Sequence, residues 1–266
     1  MKKTILLTII AALAISCGTP EKIPYMVGAE KIDETYLKNN AKIFEARIMP
    51  KDVLQISVNT TIPEAAAPFN LGSSAGSGVM VQGGTVQGAE LQTYIVDNEG
   101  YINYPVVGKL KVLGLTRVEL QDYIKDRIHP EYIKEVPVIN VRFKNYKVSV
   151  LGEVTRPGTF TLVNEQCTIL DALAMAGDLT IYGKRENVLI IRESAKGEKI
   201  FLRIDLQDSY LVADHNRFYL QQNDVVYVEP NKTRSKAAAI GTAETLTISI
   251  VSTLISIATL VISIVR

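Results

Sequence analysis

The 266-residue chain ends in an apolar run that carries hydroxyls at heptad spacing: Thr242, Thr245, Ser249, Ser252, Ser256, Thr259 and Ser263, stepping 3, 4, 3, 4, 3, 4. On a helix these residues fall on one face. From Leu246 to Val265 there is no charge, and a helix of that stretch would be about 30 Å long, the thickness of a bilayer's hydrocarbon core. The chain is therefore predicted to end in an amphipathic transmembrane helix over 242–266. A period of 3.5 favours a seam packed on neighbouring helices, or a polar face lining a pore shared by several copies. A lone anchor whose Ser and Thr bond back onto their own backbone fits the same residues equally well. A strand fits less well: Ile, Val and Thr dominate, yet strict alternation breaks at Val251-Ser252-Thr253.

At the other end, Met1-Lys2-Lys3 is basic, Thr4 to Ile15 is an apolar core too short to span comfortably, and Ala14-Ile15-Ser16-Cys17 closes it with small residues. This order resembles a bacterial lipoprotein signal peptide over 1–16, with Leu13 four residues before the cysteine where such signals place it three before. The resemblance implies that Cys17 takes a diacylglycerol and becomes the first mature residue. A plain secretory signal or an uncleaved N-terminal anchor is the alternative. With Cys17 lipidated only Cys167 remains, so no disulfide can form within one mature chain and stability must come from the core.

About 250 residues then remain, and with 47% hydrophobic and 21% charged residues they suffice for two modest globular domains plus an anchor. A formal net charge of +1 argues against a nucleic-acid partner. Lys232, Arg234 and Lys236, in a linker over 231–241, fit an interfacial anchor or an ordinary solvated linker.

Between the ends, the chain reads as two successive units of strands and capped helices, an α+β architecture. Residues 17–45 form a lipid-anchored tether, a polar leash with Pro20 and Pro24 at its start. A turn at Pro50 leads into an alternating strand through Val58, after which 61–89, rich in Gly, Ala and Ser, is predicted to be a long loop with little to pack. Gln92 to Val96 and Tyr101 to Pro105 read as a hairpin about Asp97-Asn98-Glu99-Gly100. Thr116-Arg117-Val118-Glu119 is a capping box opening a helix to about Ile128, with Val118, Tyr123 and Ile124 among its apolar positions. Val138 to Phe143 is a strand. The second unit has a strand at Val148 to Val154, a type II turn at Arg156-Pro157-Gly158 and a returning strand. A second capping box, Thr168-Ile169-Leu170-Asp171, opens a helix ending near Gly177, and strands follow at Asn187 to Arg192, Lys199 to Ile204 and Val225 to Val228.

Gly100-Tyr101-Ile102-Asn103-Tyr104-Pro105-Val106-Val107-Gly108, then Val112-Leu113-Gly114-Leu115-Thr116 and the Glu119 helix, resemble the signature of the outer-membrane polysaccharide export proteins, the Wza-type family. Pro50 to Val58 resembles that family's opening strand, with Lys51 where a Gly is usual. Val150-Leu151-Gly152-Glu153-Val154, Arg156-Pro157-Gly158 and Asn223-Asp224-Val225-Val226-Tyr227-Val228 resemble a single SLBB domain, a β-grasp-like module, where longer members carry two. The resemblance implies a polysaccharide export domain over 46–144 and an SLBB domain over 145–230. It also implies a lipid-anchored ring of identical subunits in the outer membrane, its periplasmic domains stacked and its helices forming a barrel lined by the hydroxyl stripe. The partners implied are the exported polysaccharide, other copies of the chain, membrane lipid, and an inner-membrane polysaccharide co-polymerase fused to or paired with a tyrosine kinase. No cofactor and no metal are implied. A soluble-ligand-binding lipoprotein and a structural envelope lipoprotein are the other classes open to this sequence.

Catalytic patterns are thin. Two histidines, His129 and His215, read as surface or loop residues, and Glu153, Asp171 and Asp224 as a strand end, a helix cap and a turn. No Gly-x-x-x-x-Gly-Lys loop cradles phosphates, so energy for transport must come from elsewhere. Tyr94, Tyr101, Tyr104 and Tyr146 fall in strands where core packing is the default. Cys17→Ser is expected to leave an unlipidated precursor that mislocalises. Metabolic labelling with a fatty acid and membrane fractionation test this, and acylation and fractionation like wild type would count against it.

Overall fold

The computed structural model describes residues 24–41, 43–70, 93–239 and 242–265. The signal peptide, Cys17 and most of the Gly/Ala/Ser-rich segment therefore lie outside the described residues.

The first unit contains β1 (Val53–Asn59), β2 (Thr93–Ile95), β3 (Tyr101–Tyr104), β4 (Gly108–Lys111) and β5 (Val138–Phe143). β1 is the middle of an antiparallel sheet in the order β2-β1-β5. Its alternation puts Leu54, Ile56 and Val58 inward, as period-two geometry requires. The predicted hairpin between Gln92 and Pro105 is corrected here: β2 pairs with β1, and β3 pairs with β4 across Pro105-Val106-Val107. Asp97 still shapes the chain reversal, its carboxylate accepting from the N–H groups of Glu99 and Tyr101.

Three helices precede or join these strands: α1 (Glu34–Asn40), α2 (Pro63–Ala66) and α3 (Arg117–Ile128). α3 opens on the predicted capping box, Thr116 Oγ1 accepting from Glu119 N–H at 3.2 Å and Glu119 returning the bond at 2.7 Å. Its buried face is Leu120, Ile124 and Ile128, every fourth residue. Val118, expected inside, is 45% exposed because it stands on the opposite side of the first turn.

The second unit is a five-stranded sheet built of β6 (Lys147–Gly152), β7 (Gly158–Thr161), β8 (Gly183–Glu193), β9 (Lys199–Ile204) and β10 (Val225–Pro230), in the order β7-β6-β10-β8-β9. β10 runs parallel to β6 and antiparallel to β8. α4 (Ile169–Met175), also opened by its predicted capping box, packs on the sheet through Ile169, Ala172 and Leu173. Three helices follow α4: α5 (His215–Phe218), α6 (Lys232–Ala239) and the long α7 (Thr242–Val265). The expected type II turn is absent, since Gly158 already belongs to β7 and pairs with Val150. The left-handed position is instead Gly152, where an added Cβ would lie 2.0 Å from the Val228 carbonyl oxygen, so no other residue fits.

The two central strands, β1 and β10, are launched by one device. Met49 N–H donates to Asp52 Oδ2 at 2.8 Å while Asp52 N–H donates back to the Met49 carbonyl at 3.2 Å, with Lys51 between them at φ 72°. Gln221 N–H likewise donates to Asp224 Oδ2 at 2.8 Å, Asp224 N–H returns to the Gln221 carbonyl at 3.1 Å, and Asn223 takes φ 64°. The third residue of each turn is in the left-handed region that Gly adopts most cheaply and Asn tolerates. Lys51 therefore holds the costlier version of the turn.

Two further expectations change. The chain from 61 onward does not dissolve at once into a loop: α2 and the turn after it, Ala67–Phe69, fold back so that Ala66 and Phe69 are 4% and 2% exposed in the first core. Asn70 then bonds both backbone groups of Val58, at 2.8 and 2.6 Å. Residues 24–44 are also more than a leash. Met26 and Val27 donate to the Leu206 and Gln207 carbonyls, and Phe44 stacks on Tyr219 at 4.7 Å, so this segment straps across the second unit. Phe69→Ala should destabilise the protein by about 3–5 kcal/mol, the usual range for a buried Phe. A urea midpoint unchanged from wild type would show that the segment contributes no core.

Candidate functional site

α7 runs for 24 residues, as predicted for the terminal helix, and its described side chains are exposed on every side. From Ile250 to Val261 its exposed Ile, Val and Leu residues stand 52–61% open. Ser249, Ser252, Ser256, Thr259 and Ser263 are exposed together along one side, whereas the side chains of Thr242 and Thr245 lie outside the description. The hydroxyls bond back along the helix: Ser252 to the Ser249 carbonyl at 2.9 Å, Ser256 to Ser252 at 2.9 Å, and Thr259 to Ser256 at 2.8 Å. Each such bond satisfies a donor without a partner helix. Among the residues described in full, no helix is long and apolar enough to cross a membrane. The sequence of α7 taken whole does carry an uncharged 20-residue stretch.

α6, which precedes α7 in sequence, is tied to the second unit. Asn231, 7% exposed, caps α6 by accepting from Arg234 N–H at 3.0 Å. The Arg234 guanidinium then pairs with Glu153 at 3.1 Å and lies 5.6 Å from the ring centre of Tyr182. Glu153 is held in turn by the Thr180 hydroxyl at 2.9 Å. The predicted linker over 231–241 is thus helical through Ala239, and Arg234 works as a clamp. Glu153, a strand-end residue in the sequence, gave no signal of this role because its partner lies 81 positions away.

The N-terminal strap reaches the same unit. Tyr25 hydrogen-bonds Asp178, and burial pushes its hydroxyl well above the ordinary tyrosine value. Tyr36 meets Tyr210 edge to face at 5.3 Å, and His215 Nε2 lies 2.8 Å from the Asn40 carbonyl, which makes that nitrogen the donor. His129 Nδ1 faces the Ile133 carbonyl at 3.1 Å. Among the described residues no group of three His, Cys, Asp or Glu could hold a metal ion. Cys167 is fully buried, and that burial pushes its thiol up to about 12.

The joint between the units is polar. Asn145 Oδ1 accepts from Val53 N–H at 3.0 Å, its amide donates to the Lys51 carbonyl at 3.4 Å, and its own carbonyl accepts from Gln222 at 2.8 Å. Arg117 reaches across to Glu165 at 3.2 Å. Beside this pair lies a cleft of about 830 Å³ lined by Gln55, Arg142, Asn164 and Glu165. Arg117, Lys144 and Asp171 also line it, so the cleft is mainly polar and charged, with Phe143, Leu162 and Val163 among its apolar residues.

These features frame the comparisons with known proteins. Residues 41–144 match the family described as polysaccharide biosynthesis/export protein, and 146–228 match the SLBB domain. An export domain followed directly by an SLBB domain defines the class: a polysaccharide export protein. The chain belongs to the Wza-type polysaccharide export family. Similar proteins include the EPS I polysaccharide export outer membrane protein EpsA of Ralstonia solanacearum and that of Ralstonia nicotianae. Each is 37% identical over 84 residues, a stretch covering 31% of this chain and 22% of the relative. The match thus spans about a fifth of the length of these relatives.

One titration follows from the turn at β1. Burial pushes the Asp52 carboxyl up to about 7, and the Met49 N–H pulls only partly against it. A carboxylate with a folded value above its unfolded one favours unfolding as it ionises. It is neutral in effect below about pH 4 and increasingly unfavourable as pH rises toward 7. Relative to Asp52→Asn, the wild type should therefore lose stability between pH 4 and 7. Urea midpoints of both proteins across that range measure the difference, and parallel curves would show that Asp52 stays ionised.

Proposed function

We propose that this protein is the subunit of an oligomeric outer-membrane conduit for capsular or extracellular polysaccharide. The chain has no role in bond-making here; an inner-membrane co-polymerase, paired with a tyrosine kinase, pushes the polymer through. The observation that carries this reading is α7, a helix whose apolar side chains are more than half exposed. A surface of that kind needs lipid or other helices to cover it. Helices with Ile, Leu and Val outward and Ser and Thr inward leave no backbone group unpaired in lipid and present a wettable lumen.

The mounts support the same picture. Arg234 ties α6, the helix just before α7 in sequence, to the SLBB domain, and the strap reaches that domain at Tyr25. Tyr25 follows Cys17 by eight positions, at most about 29 Å of chain, so lipid at Cys17 and helix at Thr242 both hold the SLBB domain near the membrane. The export domain then projects into the periplasm toward the inner-membrane partner. The related EpsA proteins carry the same export function in their names. The hydroxyls bonded back on α7 favour one competing reading, a lone anchor in lipid.

Cysteine scanning separates them. In a Cys167→Ser background, cysteines at Ser249, Ser252, Ser256, Thr259 and Ser263 should react with a membrane-impermeant thiol reagent in intact complexes. Cysteines at Ile250, Leu254, Ile257 and Val261 should be protected. Equal protection of both sets would leave the lone anchor standing, and reactivity of period two would mean a strand.

A further inference from the structure

β8 and β10 read as strands buried on both faces. Val188-Leu189-Ile190-Ile191 and Val225-Val226-Tyr227-Val228 are unbroken apolar runs, the pattern of a strand covered on each side rather than of one facing water. One side is covered: Val188, Ile190, Val226 and Val228 are fully buried in the second core. The alternate residues face out among the described residues, and the register sets them side by side. Val225 pairs with Ile191 and Ile191 with Phe201, while Leu151 pairs with Tyr227 and Tyr227 with Leu189. The result is a two-row apolar patch, each row three strands wide and offset by one strand, closed by Ser149 in one row and Arg203 in the other, with Phe201 at 64% and Leu151 at 46% exposure at its edges. Charged residues rim it on two sides: Glu193 with Lys51 and Lys199 above, Glu229 with Lys184 and Arg203 below.

We infer that this sheet face docks a second copy of the same chain, making the lateral contact between neighbouring SLBB domains. The inference rests on the oligomeric conduit proposed above and names the surface that assembles it. An apolar centre inside a charged rim is the anatomy of a protein interface. The rim carries both signs along each side, which suits another surface of this nearly neutral chain better than a strongly acidic or basic partner. The patch is continuous with the mount of the helix. Glu229 lies on the same strand as Pro230, the step into α6, and α6 is clamped to the sheet by Arg234. Copies brought together through a heptad seam in α7 must therefore bring these domains alongside one another. Three strands per row at about 4.8 Å spacing and three to four residues of about 3.3 Å give a patch of roughly 150 Å². That is a core for a standard contact of about 800 Å² per partner, with the rim and flanking loops supplying the remainder. In a closed ring the contact is heterologous, so the patch of one copy meets a different surface of the next.

The experiment uses the full chain extracted in mild detergent. Wild type should run as an oligomer by light scattering, and Phe201→Glu should fall to the mass of one chain while remaining acylated and membrane-bound. Phe201 is exposed on an edge strand, so the substitution is expected to leave the fold intact. To guard against misfolding, Phe201→Cys in a Cys167→Ser background carries a benzophenone label, which should crosslink one copy to another on illumination. A wild type that is itself monomeric would refute the conduit reading and this inference with it. A wild-type oligomer whose Phe201→Glu variant keeps its mass, or whose label crosslinks only within one chain or to a different polypeptide, would refute this surface alone.

Discussion

A carboxylate folded back on the backbone three residues upstream starts the central strand of each domain, and the joint between the domains is built on those two turns. Asp224 accepts from Gln221 N–H and is gripped by Arg192, which places 2.6 Å between Nη2 and Oδ2 and spends its remaining N–H groups on the Asn216 and Tyr219 carbonyls. Burial pushes the Asp224 carboxyl up and the guanidinium opposes it. Removing either partner from such a pair leaves an uncompensated buried charge, at a cost of about 3–5 kcal/mol. Asp52 has the same backbone bond, yet its Oδ1 has no partner among the described residues. The first domain thus uses the turn without the counter-charge, which is why its carboxyl rises so far. Asn145 stands between them, bonded to Lys51 and Val53 on one side and Gln222 on the other. One residue thus contacts both turns, the first through its side-chain amide and the second through its main-chain carbonyl.

Local chemistry was legible in the chain wherever it is local in fact. Both capping boxes, the strand from Val138 to Phe143 and the strand from Lys199 to Ile204 rest on neighbours within a few residues, and they stand where the sequence placed them. Pairing was less legible. The Asp97–Gly100 reversal looks like a hairpin turn, but β2 spends its backbone groups on β1, and nothing in the sequence of Thr93 to Ile95 names that partner. Phe69 reads as a loop residue because Gly and Ser follow it, and only the tertiary pocket beside Tyr132 gives it a core role. The clamp between Glu153 and Arg234 and the strap from Tyr25 to Phe44 are contacts between distant positions. Periodicity cannot reveal them, and polar residues in the strap masked its docking. The hydroxyl stripe was plain from spacing alone, whereas the face that the SLBB sheet leaves uncovered required the register of five strands to be known.

The stripe and the sheet face obey one constraint at two depths. In the helix, a hydroxyl that can turn to a carbonyl three or four residues back makes its polarity tolerable in either lipid or water. Ser252, Ser256 and Thr259 are in that folded-back state, and a Ser or Thr so bonded still keeps acceptor capacity for water. Such a helix is only moderately apolar, and Glu244 near its start lowers its preference for lipid further. In the sheet, apolar side chains on the outer face are equally ambiguous for a single copy, being partly wet but not charged. Each surface is tolerable alone and better covered. The Arg234–Glu153 pair ties α6, the element between the two surfaces in sequence, to the sheet, so the assembly proposed above would cover both surfaces together.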